Sequence, residues 1–418
     1  MANLFENLVE IYGEREAMLL DEPLGYRLFP STQLTFPDCV RFTNLAAEAF
    51  IRDLDLKKGE RVVLLGREPG ELFLVAVAVI KAGGIAVPLD LQSDDEEIRD
   101  RVRGCGAELA VVDGRVLTER PDLPERMPGV RRFSASGPRH EAPRGVHSLE
   151  EAMHGSSGFF IPYTLKPGNV VGLFHTLMED GSSKAVMVTN QGLLGGHMAA
   201  ALLFPVRPGD MAVCAFPPGS VGGFTAAVLG LVLGSRIHLL PDSRPERILE
   251  VLVEKEPSVF MGDSGVYAGL LEAGAAEQDL RSLHLWFAAG GGTPQRVIDG
   301  FRGLGSMRLG PLRLPAPFVE SYGAGGNATI LALRPSLPLI DWPEGCPGLA
   351  VPPNRMQVVD EAGRRVKRGE EGELIIRGPA VTPGYWNDLE GTLAAKRDGW
   401  LYTGIKAKRT RFSLTLRS

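Results

Sequence analysis

RVVLLGREPGELFLVAVAVIKAGGIAVPLDLQSDDEEIRDRVRGCGAELAVVD, residues 61–113, is the stretch from which the fold is read. RVVLLG (61–66) is a short apolar run closed by glycine, the pattern of a strand buried on both faces of a parallel sheet. ELFLVAVAVIKAGG (71–84) is too long for a strand and ends in glycines, so it reads as a helix. IAVPLD (85–90) is the next strand. DDEEIRDRVRGCG (94–106) places acids in its first turn and glycine after its last, the order that the helix dipole favours. AELAVVD (107–113) closes the unit. Alternating strand and helix predicts a doubly wound parallel sheet.

Upstream, LTFPDCVRFTNLAAEAFI (34–51) has helical apolar spacing. Downstream, residues 115–168 are rich in Pro, Arg, Ser and Gly and read as a mostly exposed connector. A second αβ region follows, with strands expected near 170–175, 185–188, 211–216, 236–240, 258–261 and 285–288. The apolar stretches 192–204 and 222–234 read as core helices. RMQVVDEAGRRV (355–366) and GEEGELIIRGPAV (369–381) each read as a β-hairpin around an acidic, glycine-bearing turn. The expected division is a first αβ subdomain with connector (1–170), a second αβ subdomain (171–335), a small antiparallel β-barrel (336–404) and a basic tail (405–418).

Composition narrows the function. The 418 residues carry a net charge of −6, whereas a nucleic-acid binder usually shows a basic excess. Cys39, Cys105, Cys214 and Cys346 form no CxxC pair, so neither a disulfide framework nor a zinc site is expected, and a reducing cytoplasm fits. No apolar run approaches the ~20 residues of a membrane-spanning helix. The amphipathic, acidic start MANLFENLVEIYGE lacks the features of a secretory signal.

Several segments, in this order, resemble the adenylate-forming (AMP-binding) superfamily of acyl-CoA synthetases and long-chain fatty-acid–CoA ligases. They are KAGGIAVPLD (81–90), GLFHTLMEDGSSKAVMVTNQGLL (172–194), LHLWFAAGGGTPQRVIDGF (283–301), ESYGAGGNATI (320–330), GELIIRGPAVTPGYWND (372–388) and DGWLYTG (398–404). The resemblance implies an α/β fold: two doubly wound αβ subdomains with mostly parallel sheets, plus a small distorted antiparallel β-barrel. It implies that a carboxylic acid, a fatty acid by kinship, reacts with ATP and magnesium to give an acyl-adenylate, which coenzyme A then captures. On the resemblance, Thr176, Gly181 and Lys184 meet phosphate, Gly290 and Gly291 shape the adenine pocket, Tyr322 stacks on adenine, and Gly323 and Thr403 complete the nucleotide site.

The same comparison exposes departures. Leu177, Met178, Glu179, Asp180 and Ser183 stand where the family has small, hydroxyl-bearing residues, glycine and proline in its phosphate loop. Two adjacent carboxylates repel polyphosphate. Gly325 and Gly326 replace a Thr and a magnesium-binding Glu, Ile405 replaces a ribose-binding Asp, and Ser220 replaces a His at the acyl pocket. No metal ligand and no catalytic residue is therefore assigned. The resemblance also implies a C-terminal lid with a catalytic Lys. It is expected to be missing here, with IKAKRTRFSLTLRS (405–418) an out-of-frame start of it; whether a separate polypeptide supplies a lid is left open. Three functions follow: an acid–thiol ligase impaired in adenylate formation, a non-catalytic acyl- or protein-binding relative, or an ATP-independent acyltransferase through His175 and Asp180, which have a His-x4-Asp spacing. The alternative for Lys184 is an ion pair with Glu179 or Asp180.

Overall fold

The structure is a computed structural model that describes all residues except 139–140, 178–182, 195–205, 218, 310, 324–327, 337–341, 344, 411–412 and 417–418. The decisive stretch folds as read. Arg61–Leu65, Ile85–Pro88 and Leu109–Asp113 are parallel strands, with helices Pro69–Lys81 and Asp95–Cys105 between them. Asp94 caps the second helix through Glu97 N, and Gly106 ends it in the left-handed conformation.

All thirteen residues of Pro69–Lys81 are buried. A helix apolar all round has no solvent face, so it must be covered on every side. Here a single hydrophobic core surrounds it, drawing on strands of two different sheets. Phe73 meets Phe224 of helix Val221–Val232 with ring centroids 4.8 Å apart. Its buried Lys81 is satisfied by Glu6 at 2.5 Å, Thr43 at 2.9 Å and Asn44 at 2.7 Å.

The first sheet has seven strands, in the order His147–Ser148, Arg132–Ser136, Leu109–Asp113, Arg61–Leu65, Ile85–Pro88, Val170–Leu177, Ser183–Thr189. All neighbours are parallel except the last pair. Two expectations change here. Residues 115–168 are not merely a connector: they add two parallel strands and bury Val116, Leu117, Leu123, Ala135, Leu149 and Met153. Their strands are short and carry Arg and Ser, so no apolar run announces them. Strands 170–177 and 183–189 join this first sheet, so sheet membership crosses the 170/171 boundary expected from sequence.

The second sheet has nine strands, from Leu349–Ala350 through Ala332–Ser336, Phe318–Tyr322, Leu285–Ala289, Val259–Asp263, Met211–Ala215, Arg236–Leu239 and Glu16–Leu19 to Gln33–Thr35. Its six central strands are parallel and its margins antiparallel. Two of its strands come from the first forty residues.

A small five-stranded antiparallel sheet holds Arg355–Val359, Glu371–Arg377, Trp400–Arg409, Lys396–Arg397 and Leu414–Leu416. Residues 355–366 turn back on themselves as expected, with Val359 bridging Arg365 and Val366 N donating to Val358 O at 3.1 Å. Residues 369–381 do not form a second hairpin: Glu371–Arg377 is a strand that pairs with Arg355–Val359. The tail residues are built in: Ala407 is buried, Lys408 lies opposite Glu371, and Lys406 lies opposite Glu373. Leu416 N donates to Gly345 O at 2.8 Å. The four cysteines are free and buried. Among the described residues, no helix is long and apolar enough to cross a membrane.

Candidate active site

Ligands of open parallel sheets sit beyond the carboxyl ends of the strands. Beyond Leu285–Ala289 the chain turns through Gly290, Gly291 and Gly292, with φ of +100°, +74° and +79°. Only glycine takes three such values in succession at little cost. The turn lies against Tyr322, the last residue of the adjacent strand. A Cβ on Gly291 would come within 3.1 Å of Tyr322 Cδ2. The Tyr322 ring is buried, its hydroxyl has no hydrogen-bond partner among the described residues, and burial pushes its ionisation up. Gly323 is required by contact, since a Cβ there would lie 2.6 Å from Ala328 O. The structure thus brings Gly290, Gly291, Tyr322 and Gly323 together.

Sequence reasoning missed the support behind them. Thr293 N donates to Glu320 Oε1 at 2.9 Å, and the Arg334 guanidinium grips Glu320 Oε2. Glu320 and Arg334 are cross-strand partners, and their side chains are only 3% and 7% exposed. One buried carboxylate therefore ties the glycine turn to two strands. The available signal was a charged residue inside the otherwise apolar run FVESY (318–322).

Thr176 and Lys184 face each other across the antiparallel pair Val170–Leu177 and Ser183–Thr189. Glu179 and Asp180 lie outside the described residues, but Lys184 has a partner far along the chain. Its Nζ donates to Asp388 Oδ2 at 2.8 Å and lies 4.8 Å from the Tyr385 ring centroid. That hydrogen bond holds the Asp388 carboxyl below its usual range. Gly181, Met178, Glu179, Asp180, Gly325 and Gly326 lie outside the described residues. A cleft of about 500 Å³ is lined by Arg101, His175, Lys184, Tyr385, Trp386 and Asp388, among others. A neighbouring one of about 390 Å³ shares Glu97, Arg101 and His175 and reaches Thr176 and Ser220. Burial, helped by Arg101, lowers the His175 pKa to about 4, and its Nδ1 has no partner among the described residues.

Residues 382–388 dock the small sheet onto the first. Thr382 Oγ1 donates to Met187 O at 2.8 Å, and Trp386 N donates to Ala185 O at 2.8 Å. Thr403 is spent locally: its Oγ1 donates to Leu374 O at 2.8 Å and accepts from Ile405 N at 3.2 Å. Gly404 N donates to Glu373 Oε1 at 2.9 Å. Ile405 packs against the same apolar cluster that contains Tyr322. Ser220 caps helix Val221–Val232 through Gly223 N at 3.0 Å. An apolar cavity of about 20 Å³ lies between Phe73, Cys214, Phe216 and Phe224.

The AMP-binding enzyme family matches residues 5–386, and the chain belongs to it. It is 26% identical over 407 residues to the long-chain-fatty-acid–CoA ligase of Bacillus subtilis (strain 168), covering 90% of this chain and 70% of that protein. In fold it is similar to the anthranilate CoA ligase AuaEII solved with anthranoyl-AMP, at a TM-score of 0.84 and 18% identity, covering 99% of this chain and 77% of that one. It is also similar to the N-terminal domain of FACL13 from Mycobacterium tuberculosis, at 0.80 and 17%, covering 100% and 98%.

Proposed function

We propose that this protein is an acid–thiol ligase that activates a carboxylic acid, of the fatty-acid class, with ATP, and that its adenylate-forming step is weak. The observation that carries the reading is the glycine turn pressed on Tyr322 and braced by Glu320 and Arg334. It is a braced turn at the carboxyl ends of the parallel strands, where open sheets of this kind take their ligands. The carboxylate attacks the α-phosphorus of ATP and pyrophosphate leaves, giving an acyl-adenylate; the thiol of coenzyme A then takes the acyl group and AMP leaves.

The weakness follows from how the other polar groups are used. Thr403 bonds inside its own sheet, Ile405 offers no oxygen to a ribose, and Lys184 is held by Asp388. Residue 326, where the family has a magnesium-binding Glu, is a glycine. The same consumption of polar groups favours a second reading, a relative that binds an acyl group or a protein without making adenylate. The acyltransferase reading fares worse. A histidine with a pKa near 4 is a feeble base at neutral pH, and among the described residues its Nδ1 has no partner.

Calorimetric titration with ATP and magnesium, paired with a pyrophosphate-release assay over fatty and aromatic acids, tests the proposal. Slow, acid-dependent pyrophosphate release supports the weakened ligase. Absent nucleotide binding together with absent release sinks it in favour of the binding relative. Fast release with tight ATP binding refutes the weakness.

A further inference from the structure

The cleft of about 390 Å³ that reaches Thr176 and Ser220 has Pro88 and Pro217 in its wall, and both prolines also wall the cavity of about 20 Å³. The two spaces therefore abut. The cleft is polar, with Arg101 and His175 beside Thr176. The cavity is apolar: Leu72, Phe73, Phe224 and Leu239 are among its walls, and no charged or hydroxyl-bearing side chain joins them among the described residues. Cys214 also lines it, and burial pushes that thiol up to about 12, so the cavity stays uncharged at neutral pH. The glycine turn is close by. A Cβ on Gly222 would lie 3.7 Å from Phe216 Cδ1, a cavity wall, and 3.8 Å from Cβ of Ala289, the residue before Gly290. Turn, cleft and cavity thus meet beyond the carboxyl ends of strands Met211–Ala215 and Leu285–Ala289.

The cavity is small because aromatic rings fill the space around it. Phe73 and Phe224 line it with their centroids 4.8 Å apart. Phe5 stands against Phe73 at 6.4 Å, and Phe174 stands against Phe224 at 5.7 Å. Rings attract one another at such separations. All four rings are buried, and Phe73 sits on the helix that is covered on every side. Neither lining ring can swing aside without opening a void elsewhere, which a close-packed interior resists. The room that remains suits about one water-sized group, so a chain end of about one or two carbons fits and a longer one meets the rings.

We propose that Phe73 and Phe224 are specificity-determining residues that limit the acid to a short aliphatic chain of about four carbons. The proposal rests on the ligase reading above and narrows its acid. The carboxylate stays in the polar cleft beside Ser220 and the glycine turn. The tail passes Pro88 and Pro217 and ends against the two phenyl rings. A charged or hydroxylated tail meets no polar partner among the described walls, so its desolvation goes uncompensated. Each CH2 moved from water into an apolar site ordinarily strengthens binding about fourfold. Here that gain stops where the rings begin, and the carbons of a longer acid stay outside.

The test is calorimetric titration of the full chain with butyrate and with octanoate, each below its micelle-forming concentration, with no ATP present. Wild type is expected to bind butyrate and to bind octanoate no more tightly. An open tunnel would instead favour octanoate on the order of a hundredfold, at about fourfold per CH2. Phe73→Ala is expected to raise octanoate affinity about tenfold or more while butyrate affinity changes little. Phe73→Leu and Phe224→Leu keep most of the packing and are expected to shift the same preference by a few fold, so the proposal stays testable if the alanine variant does not fold. Wild type favouring octanoate a hundredfold overturns the proposal. So does absent butyrate binding at high millimolar acid, or an unchanged chain-length preference in every folded variant, which would make the cavity a packing void only. Pyrophosphate release judges the ligase reading separately. Faster release with octanoate than with butyrate refutes the aromatic limit and sustains the ligase. Butyrate binding that follows the expected preference without any pyrophosphate release counts against the ligase alone.

Discussion

The glycine turn at residues 290–292 and the strand segment 403–405 are both offered to a nucleotide by the family pattern, yet they treat polar groups differently. At the turn, Glu320 and Arg334 are buried and their charges serve to hold backbone in place. At 403–405, Thr403, Gly404 and Ile405 hydrogen-bond within their own small sheet. The first region keeps its ligand-facing surface free by bracing it from behind. The second uses up the atoms a ligand would need. A surface supported by other residues keeps its own polar atoms available, whereas one supported by its own polar atoms does not.

The largest expected effect breaks the bracing. Arg334→Met leaves Glu320 as a buried carboxylate without its counter-charge, and breaking such a pair typically costs about 3–5 kcal/mol. Urea unfolding is expected to show a loss of that order, and Thr293 to lose its anchor. A loss under about 1 kcal/mol would mean that the pair is solvated and that the contrast between the regions is false.

A titration extends the contrast to His175, another buried polar group. Its pKa is lowered to about 4 from 6.5. Between those values the unfolded chain binds the proton and the folded chain does not, so stability falls as pH drops from 6.5 towards 4. The loss approaches about 3 kcal/mol at full effect. His175→Phe is expected to flatten that part of the pH–stability curve; an unchanged slope would place the imidazole in water.

Gly291→Ala attacks the shape of the seat. The φ of +74° and the 3.1 Å approach to Tyr322 predict about 1–2 kcal/mol of destabilisation. Nucleotide affinity is expected to fall with it, read by calorimetry. Unaltered stability and affinity would show that the turn adjusts freely.

Ile405→Asp works in the other direction, returning a carboxylate to the edge. A charge-assisted hydrogen bond to a ribose hydroxyl is worth roughly 1.5 kcal/mol, so ATP affinity should rise about tenfold. No gain would mean that ribose does not reach this strand. The smallest effect belongs to Lys408→Ala, which removes a cross-strand partner of Glu371 at the solvated edge, where less than about 1 kcal/mol is expected.

Much of the framework was legible because it is written in local apolar runs. Residues 61–113 are such a case: strands buried on both faces and a helix buried all round leave little room for another reading. The strands Arg132–Ser136 and His147–Ser148 were not legible, since they are short, carry Arg, Ser and His, and lie at and next to the margin of their sheet. The role of Glu320 was hidden as well, because its partners Thr293 and Arg334 are brought to it only by strand pairing. The Lys184 bond to Asp388 was hidden too, because the two lie 204 residues apart.

The order of residues by itself determined the αβ alternation, because periodicity and turn chemistry act over a few residues, and its resemblance to known segments gave the family. Only the tertiary structure decided which sheet each strand joins and which charges are buried in pairs. Those outcomes depend on residues far apart in the chain meeting in space, and local pattern carries no record of that.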